Sequence, residues 1–181
     1  MITISNHLQL ENITIDLQKD LMALMLEIYP PAYKHLWINE DSDWYLTHCF
    51  SQENLKLELN ETNAFYGFVI SNSKRVGIIR FLVNTSVNNS YEKNATFIHR
   101  IYLSQEAQGK GIAKQLFYWI EQRANENKNK VLWLKAMDTK IQALKFYEKQ
   151  GFKIVDTFSL DFNIMHPHLR GMVVMTKTLL K

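Results

Sequence analysis

The run Ile101-Tyr102-Leu103-Ser104-Gln105-Glu106-Ala107-Gln108-Gly109-Lys110-Gly111-Ile112-Ala113 constrains this chain more than any other stretch. A strand-like segment gives way to a short polar turn, then two glycines, then an amphipathic helix. The apolar positions Ile112, Leu116, Phe117, Ile120 and Ala124 recur at helical spacing and predict a helix from about Gly109 to about Asn125. Glycine in the first turn permits unusual backbone angles and lets a ligand approach the main-chain amides. Those first amides have no acceptor within the helix, and the helix dipole adds positive potential beside them. With Lys110 and Lys114 alongside, the turn suits a phosphate. Two common phosphate loops do not fit. No segment supplies a glycine, four residues and then Gly-Lys-Ser/Thr, and Lys114 stands where the dinucleotide fingerprint needs its third glycine.

The elements around this turn set the fold class. Ile2 to Ser5 reads as a short edge strand. Leu17, Leu21, Leu24, Met25 and Ile28 predict a helix over about 17–29, stopped by Pro30-Pro31. Two short helices follow, near Trp44 to Phe50 and from Ser51 onward. β-rich runs over Ala64–Ser71 and Arg75–Val83 flank a polar turn, and a polar loop over 84–94 leads to a strand from Thr96 to Leu103. After the glycine helix come a strand over 130–137, a helix over 139–150 and two strands near 152–162 and 172–179. Thr139 with Gln142 resembles a capping box, and Gly151 is the expected helix terminator. This order predicts one α/β (α+β) domain over residues 1–181 with a mixed sheet, not a doubly wound fold.

Composition narrows the function classes. The chain has 181 residues, 46% hydrophobic, with no run of 18 apolar residues, so no membrane partner is expected. The N-terminus lacks a basic region followed by an apolar core, and the single cysteine, Cys49, leaves no internal disulfide, which favours the cytoplasm. The net charge of +3 conceals a division: residues 1–63 carry three Lys/Arg and ten Asp/Glu, the remainder 18 and eight. The basic charges are scattered without a recognition motif, so no nucleic-acid partner is expected. A polyanionic cofactor on the basic part and a cationic substrate near the acidic part fit this division, as does plain solvated surface.

The run Gln108-x-x-Gly111-x-Ala113 meets the pattern Gln/Arg-x-x-Gly-x-Gly/Ala, and Ala143-Leu144-Lys145-Phe146-Tyr147-Glu148-Lys149-Gln150-Gly151-Phe152 follows, with Tyr147 36 residues after Gly111. On both motifs the chain resembles the GNAT superfamily of N-acetyltransferases, best over about Arg75 to Phe152. Leu132-Trp133-Leu134 and Met175 to Leu179 resemble, more narrowly, the bacterial spermidine/spermine-type acetyltransferases. The resemblance implies a mixed, mostly antiparallel central sheet of about six to seven strands flanked by about four to five helices. It implies acetyl-CoA as cofactor, its pyrophosphate held by Gln108, Gly109, Lys110, Gly111, Ile112, Ala113 and Lys114. The pantetheine arm is expected along the main chain of Ile101, Tyr102 and Leu103, where a backbone N–H would polarise the thioester carbonyl. Tyr147 is expected to protonate the departing thiolate. Lys140 stands among the cofactor-binding positions where the family often has Asn, so an Asn-dependent role is not carried over.

An alkylamine is mostly protonated at pH 7, so direct attack needs a proton acceptor. His99 shares a strand face with Ile101 and Leu103 and is the candidate base, with a water or a purely structural histidine as alternatives. Arg100 faces the other way and reads as structural. Tyr33, Trp37, Asp41, Asp43 and Trp44 form a candidate aromatic and acidic pocket for an amine, or else core anchors and helix caps. Cys49 lacks a basic partner motif and reads as a helix cysteine. His166-Pro167-His168 lacks a completing cluster, so no metal is expected. The implied activity is acetyl transfer to a primary amine of a small molecule, a polyamine among the candidates, through a ternary complex. A silent CoA-binding module and acetylation of a protein N-terminus are the alternatives, and a homodimer is left open.

Overall fold

The computed structural model describes residues 1–87 and 93–179, so part of the expected 84–94 loop lies outside the described residues. The elements run β1 (Ile2–Ser5), β2 (Leu8–Asn12), α1 (Gln18–Tyr33), α2 (Asp43–Phe50), α3 (Gln52–Leu59), β3 (Ala64–Ser71), β4 (Lys74–Thr85), β5 (Ala95–Leu103), α4 (Ile112–Glu126), β6 (Val131–Met137), α5 (Ile141–Lys149), β7 (Lys153–Ser159) and β8 (Gly171–Thr178). This is the expected mixed α/β architecture with a mostly antiparallel sheet. Among the described residues it has eight strands, not six to seven. The additional strand is β2, whose Leu8 and Leu10 are buried at 1% and 0% exposure. Chain contacts divide into two compact units, Met1–Phe81 with Arg100–Phe117 and Leu82–His99 with Tyr118–Lys181.

In the first unit the strands follow the order β1-β2-β3-β4-β5, the last two contributing Lys74–Phe81 and Arg100–Leu103. β2 pairs antiparallel with β1 and with β3, Leu10 opposite Val69. α1 buries Leu21, Leu24, Met25 and Ile28, the stripe its periodicity predicts. It does not stop at Pro30-Pro31. Both prolines lie in its last turns, where they delete two donors while the Pro30 carbonyl stays in use, accepting the Lys34 N–H. α3 is capped by Ser51, whose Oγ accepts the Asn54 N–H at 3.2 Å. Arg100 is structural as expected. It is buried and donates to both oxygens of buried Glu58 at 2.7 and 2.8 Å, while Arg80 Nε lies 3.7 Å from Glu58 and Arg80 Nη2 3.2 Å from Glu61. Gly77 on β4 is a close approach: a Cβ there would run into the main-chain oxygen of Tyr102.

In the second unit the order is β4-β5-β6-β8-β7, with Leu82–Thr85 and Ala95–His99 from the first two. β5 and β6 are parallel, paired from Ala95–Val131 to Ile98–Leu134, while β8 runs antiparallel to both β6 and β7. Ala95, Trp133 and Val174 form a packed cluster with Phe97, Val131 and Phe158 against it. Asn129 is a buried hub. Its Oδ1 accepts from Asn84 N–H at 3.0 Å and Thr96 Oγ1 at 2.7 Å, and its Nδ2 donates to Asn84 Oδ1 at 2.7 Å. α5 ends as expected at Gly151: Gly151 N–H reaches the Glu148 oxygen and Phe152 N–H the Tyr147 oxygen. The capping box at its start does not form. Lys140 occupies the cap position with no side-chain cap bond, and Ile141 N–H instead reaches the Thr139 carbonyl.

Candidate active site

The first unit carries the glycine turn. β5 ends at Leu103; Ser104 N–H donates to the Val76 oxygen at 2.8 Å, and Ala107 and Gln108 close tight turns on Ser104 and Gln105. Gln108, Gly109, Lys110 and Gly111 are exposed, while Ile112 turns inward as the first core residue of α4. The helix starts at Ile112, three residues later than the spacing predicts, because Gly109 and Gly111 have φ of +72° and +75°. These angles favour glycine, and a Cβ built at either position meets nothing within 4 Å. The space before the turn is therefore open, and strain rather than crowding keeps side chains away. Helix geometry leaves the amides of the first turn of α4 without intrahelical acceptors, and Lys114 is exposed one turn in. The turn suits a pyrophosphate on these grounds.

β5 alternates as its face pattern requires. Thr96, Ile98 and Arg100 are buried, while Phe97, His99, Ile101 and Leu103 are half-buried. Tyr102, on the Arg100 side, belongs to an aromatic cluster of the first unit. Tyr29 stacks with Tyr33 at 4.8 Å and with Tyr45 at 4.6 Å, and Tyr102 meets Tyr29 and Tyr33 edge-on at 5.8 and 5.6 Å. The hydroxyls of Tyr45 and Tyr102 share a 2.8 Å hydrogen bond. Burial raises the phenol pKa of all four rings. Cys49, beside Tyr45 and Arg100, is half-buried, and burial raises its thiol pKa as well, which disfavours the thiolate.

The five acceptor candidates separate. Trp37 is a core residue, 2% exposed, its Nε1 donating to the Tyr29 hydroxyl at 3.3 Å. Tyr33 is half-buried in the cluster. Trp44 is 42% exposed and stacks on His48 at 5.0 Å. Asp41 and Asp43 are exposed, and Asp41 Oδ1 accepts the Asp43 N–H at 2.9 Å at the start of α2. Tyr29 and Tyr45 escaped sequence reading, although Tyr29 and Tyr33 on α1, and Tyr45 and Cys49 on α2, stand one helical turn apart.

In the second unit, His99 is half-buried with its ring 5.4 Å from that of Phe97, which stacks on Trp133 at 4.1 Å. Lys140 is half-buried and burial lowers its pKa. Tyr147 is half-buried on α5, its ring edge-on to those of Phe146 and Phe152. Among the described residues no group of three or more His, Cys, Asp or Glu could hold a metal ion, and no helix is long and apolar enough to cross a membrane.

A family model described as acetyltransferase (GNAT) family matches residues 19–152. An uncharacterized N-acetyltransferase in the pepI 3′ region of Lactobacillus delbrueckii subsp. lactis is 29% identical over 137 residues, 74% of this chain and 79% of that protein. Among solved structures, PaiA N-acetyltransferase from Thermoplasma acidophilum in complex with coenzyme A is similar at a TM-score of 0.72 and 18% identity, over 95% of this chain and 99% of that one. A variant of spermidine N-acetyltransferase SpeG from Vibrio cholerae gives a TM-score of 0.65 at 14% identity, over 96% and 95%. At such identities the structural likeness is one of fold.

Proposed function

Because the chain belongs to the GNAT acetyltransferase family and is thus an acetyl-CoA-dependent acyltransferase, we propose that it acetylates the primary amine of a small molecule by direct attack in a ternary complex. The observation that carries this reading is the exposed turn with Gly109 and Gly111 at positive φ and open space before both. Bound there, acetyl-CoA supplies an acetyl group that joins the amine nitrogen as its carbon–sulfur bond breaks, one proton passing overall from nitrogen to sulfur. The amides of the turn and the first turn of α4, with Lys110 and Lys114, hold the anionic end; Gln108 and Lys140 complete the binding set. The main chain of Ile101 to Leu103 orients the arm and supplies an N–H to the developing oxyanion. His99, or a water, takes the proton of the amine, and Tyr147 returns one to the thiolate. The motif position of Tyr147 and the half-buried face of His99 support these roles. The likeness to a spermidine enzyme keeps polyamines among the acceptors.

Calorimetric titration with acetyl-CoA tests the turn. Wild-type protein should bind, and folded Gly111→Glu protein should not; an unchanged affinity in the variant would remove the turn as the site. Turnover that survives Tyr147→Phe would remove the acid.

A further inference from the structure

We propose that Lys135 is a specificity-determining residue, and that its ammonium receives the carboxylate of an acceptor whose amine stands a few bonds away, as in an amino acid. The inference rests on the acetyl-transfer reading above and lies wholly within the second unit. Pairing between β5 and β6 ends at Ile98–Leu134, although β6 runs on to Met137. From Lys135 onward, among the described residues, β6 has a strand partner on its β8 side alone, with Lys135 opposite Val174 and Met137 opposite Met172. The sheet parts here, and the first residues past the last pair are His99 and Lys135. Both belong to one face, since Phe97 and Trp133, two residues earlier on each strand, stack at 4.1 Å. The proposed base and a cation therefore stand beside each other where the strands separate, on strands about 4.8 Å apart where they still pair.

Among the described residues, the packing around Lys135 gives no structural reason for a cation. Lysine is a poor strand former, and on this face Lys135 neighbours Trp133, Phe158 and Val174, the last 2% exposed. Its Nζ lies 5.2 Å from the Phe158 ring centre and 5.9 Å from that of Trp133, so two rings steer an otherwise exposed side chain. Among the described residues Lys135 is in no ion pair; those of this unit join Arg123 to Glu126 and Lys177 to Glu121. Asp156, in the same row beyond Val174, uses Oδ1 to accept the Thr157 N–H at 2.8 Å. A carboxylate arriving here meets a donor held by ring faces, whereas a second ammonium, as in a polyamine, meets like charge.

The test uses the full chain, acetyl-CoA, and amino acids beside their decarboxylated amines: phenylalanine with phenethylamine, leucine with isoamylamine and alanine with ethylamine, with spermidine as the polyamine. Amide product is measured by mass spectrometry, and binding of each amine to the protein with CoA by calorimetry. The best amino acid should exceed its decarboxylated partner and spermidine in kcat/KM by about tenfold or more, the worth of one charge-assisted hydrogen bond. Lys135→Met should abolish that preference through KM, Lys135→Arg should keep it, and Lys135→Glu should turn it toward spermidine. Acetyl-CoA should still bind all three variants, which also shows that they fold. A wild-type preference for spermidine or for the decarboxylated amines, a ratio unmoved by Lys135→Met, or an acetyl-CoA affinity that falls with Lys135→Met would each overturn the assignment. If acetyl-CoA binds but no amine is acetylated, the transfer reading falls and binding decides the cation by itself. Amino-acid affinity lost in Lys135→Met then upholds its role, and affinity absent or unchanged overturns it.

Discussion

Glu58→Gln isolates the most heavily charged part of the buried first unit. Glu58 is 8% exposed and receives two hydrogen bonds from Arg100 Nη1 at 2.7 and 2.8 Å, with Arg80 Nε at 3.7 Å. Arg100 itself is buried. Burial works most strongly against its charge, but the Glu58 carboxylate together with the nearby Tyr45, Tyr66 and Cys49 groups raises its pKa on balance. Glutamine keeps the shape and removes the charge, so Arg100 stays ionised without its counter-ion. Breaking one side of a buried pair costs roughly 3–5 kcal/mol. A domain of ordinary stability holds only about 5–15 kcal/mol, and at this chain length the loss lowers Tm by roughly 6–20 °C. Urea unfolding followed by circular dichroism reads it directly. A second variant separates charge from packing: Glu58→Leu with Arg100→Met removes that pair and should recover part of the loss, while buried Arg80 still loses the Glu58 carboxylate. A Glu58→Gln protein within about 1 kcal/mol of wild type would refute the argument that this pair is desolvated and interdependent.

Other consequences follow from the same kind of reasoning. Asn129→Ala strips three short hydrogen bonds from a buried hub and should cost about 2–3 kcal/mol; an equilibrium unfolding curve superimposed on that of wild type would contradict it. Five phenols, Tyr29, Tyr33, Tyr45, Tyr66 and Tyr102, have folded pKa values raised by burial above the ordinary 10.0. The folded state therefore holds these protons more tightly, and stability that is full below pH 10 is lost as pH rises above it. Absorbance at 295 nm should show the five ionising together with unfolding, not along a free-tyrosine titration. The raised Cys49 thiol pKa should make alkylation at pH 7.5 slower than in the urea-unfolded chain; equal rates would place the thiol in open solvent.

The sequence was most readable where the main chain itself dictates residue type. Gly109 and Gly111 are glycine because φ is positive, Gly151 ends α5 for the same reason, and Ile112 through Ala124 form one apolar stripe. Legibility failed where tertiary context outweighs local preference. β2 is only five residues long, and its Leu8-Gln9-Leu10 alternation is too short to register without β1 and β3 beside it. α1 continues through two prolines because packing of Tyr29 and Ile28 holds the last turn that propensity would end. Thr139 has the right spacing for a capping box, but the chain turns through Lys140 instead. Trp37 and Trp44 look alike in sequence, and one is core while the other is exposed. The tyrosine cluster draws on α1, α2 and β5, three elements whose meeting no local window contains.

Gly77 makes the backbone at Tyr102 a property of the neighbouring strand. Any side chain at 77 would collide with the Tyr102 oxygen, so that stretch of β5 is set by contact with β4 and not by the groups β5 itself carries. Substitutions at Tyr33, Tyr45 or the Tyr102 ring can then reshape the aromatic cluster while the adjacent main chain keeps its course. On the acetyl-transfer reading proposed above, the side chains around the cluster could change by point mutation while the main chain assigned to the donor stays in place, held there by a glycine with no chemistry of its own.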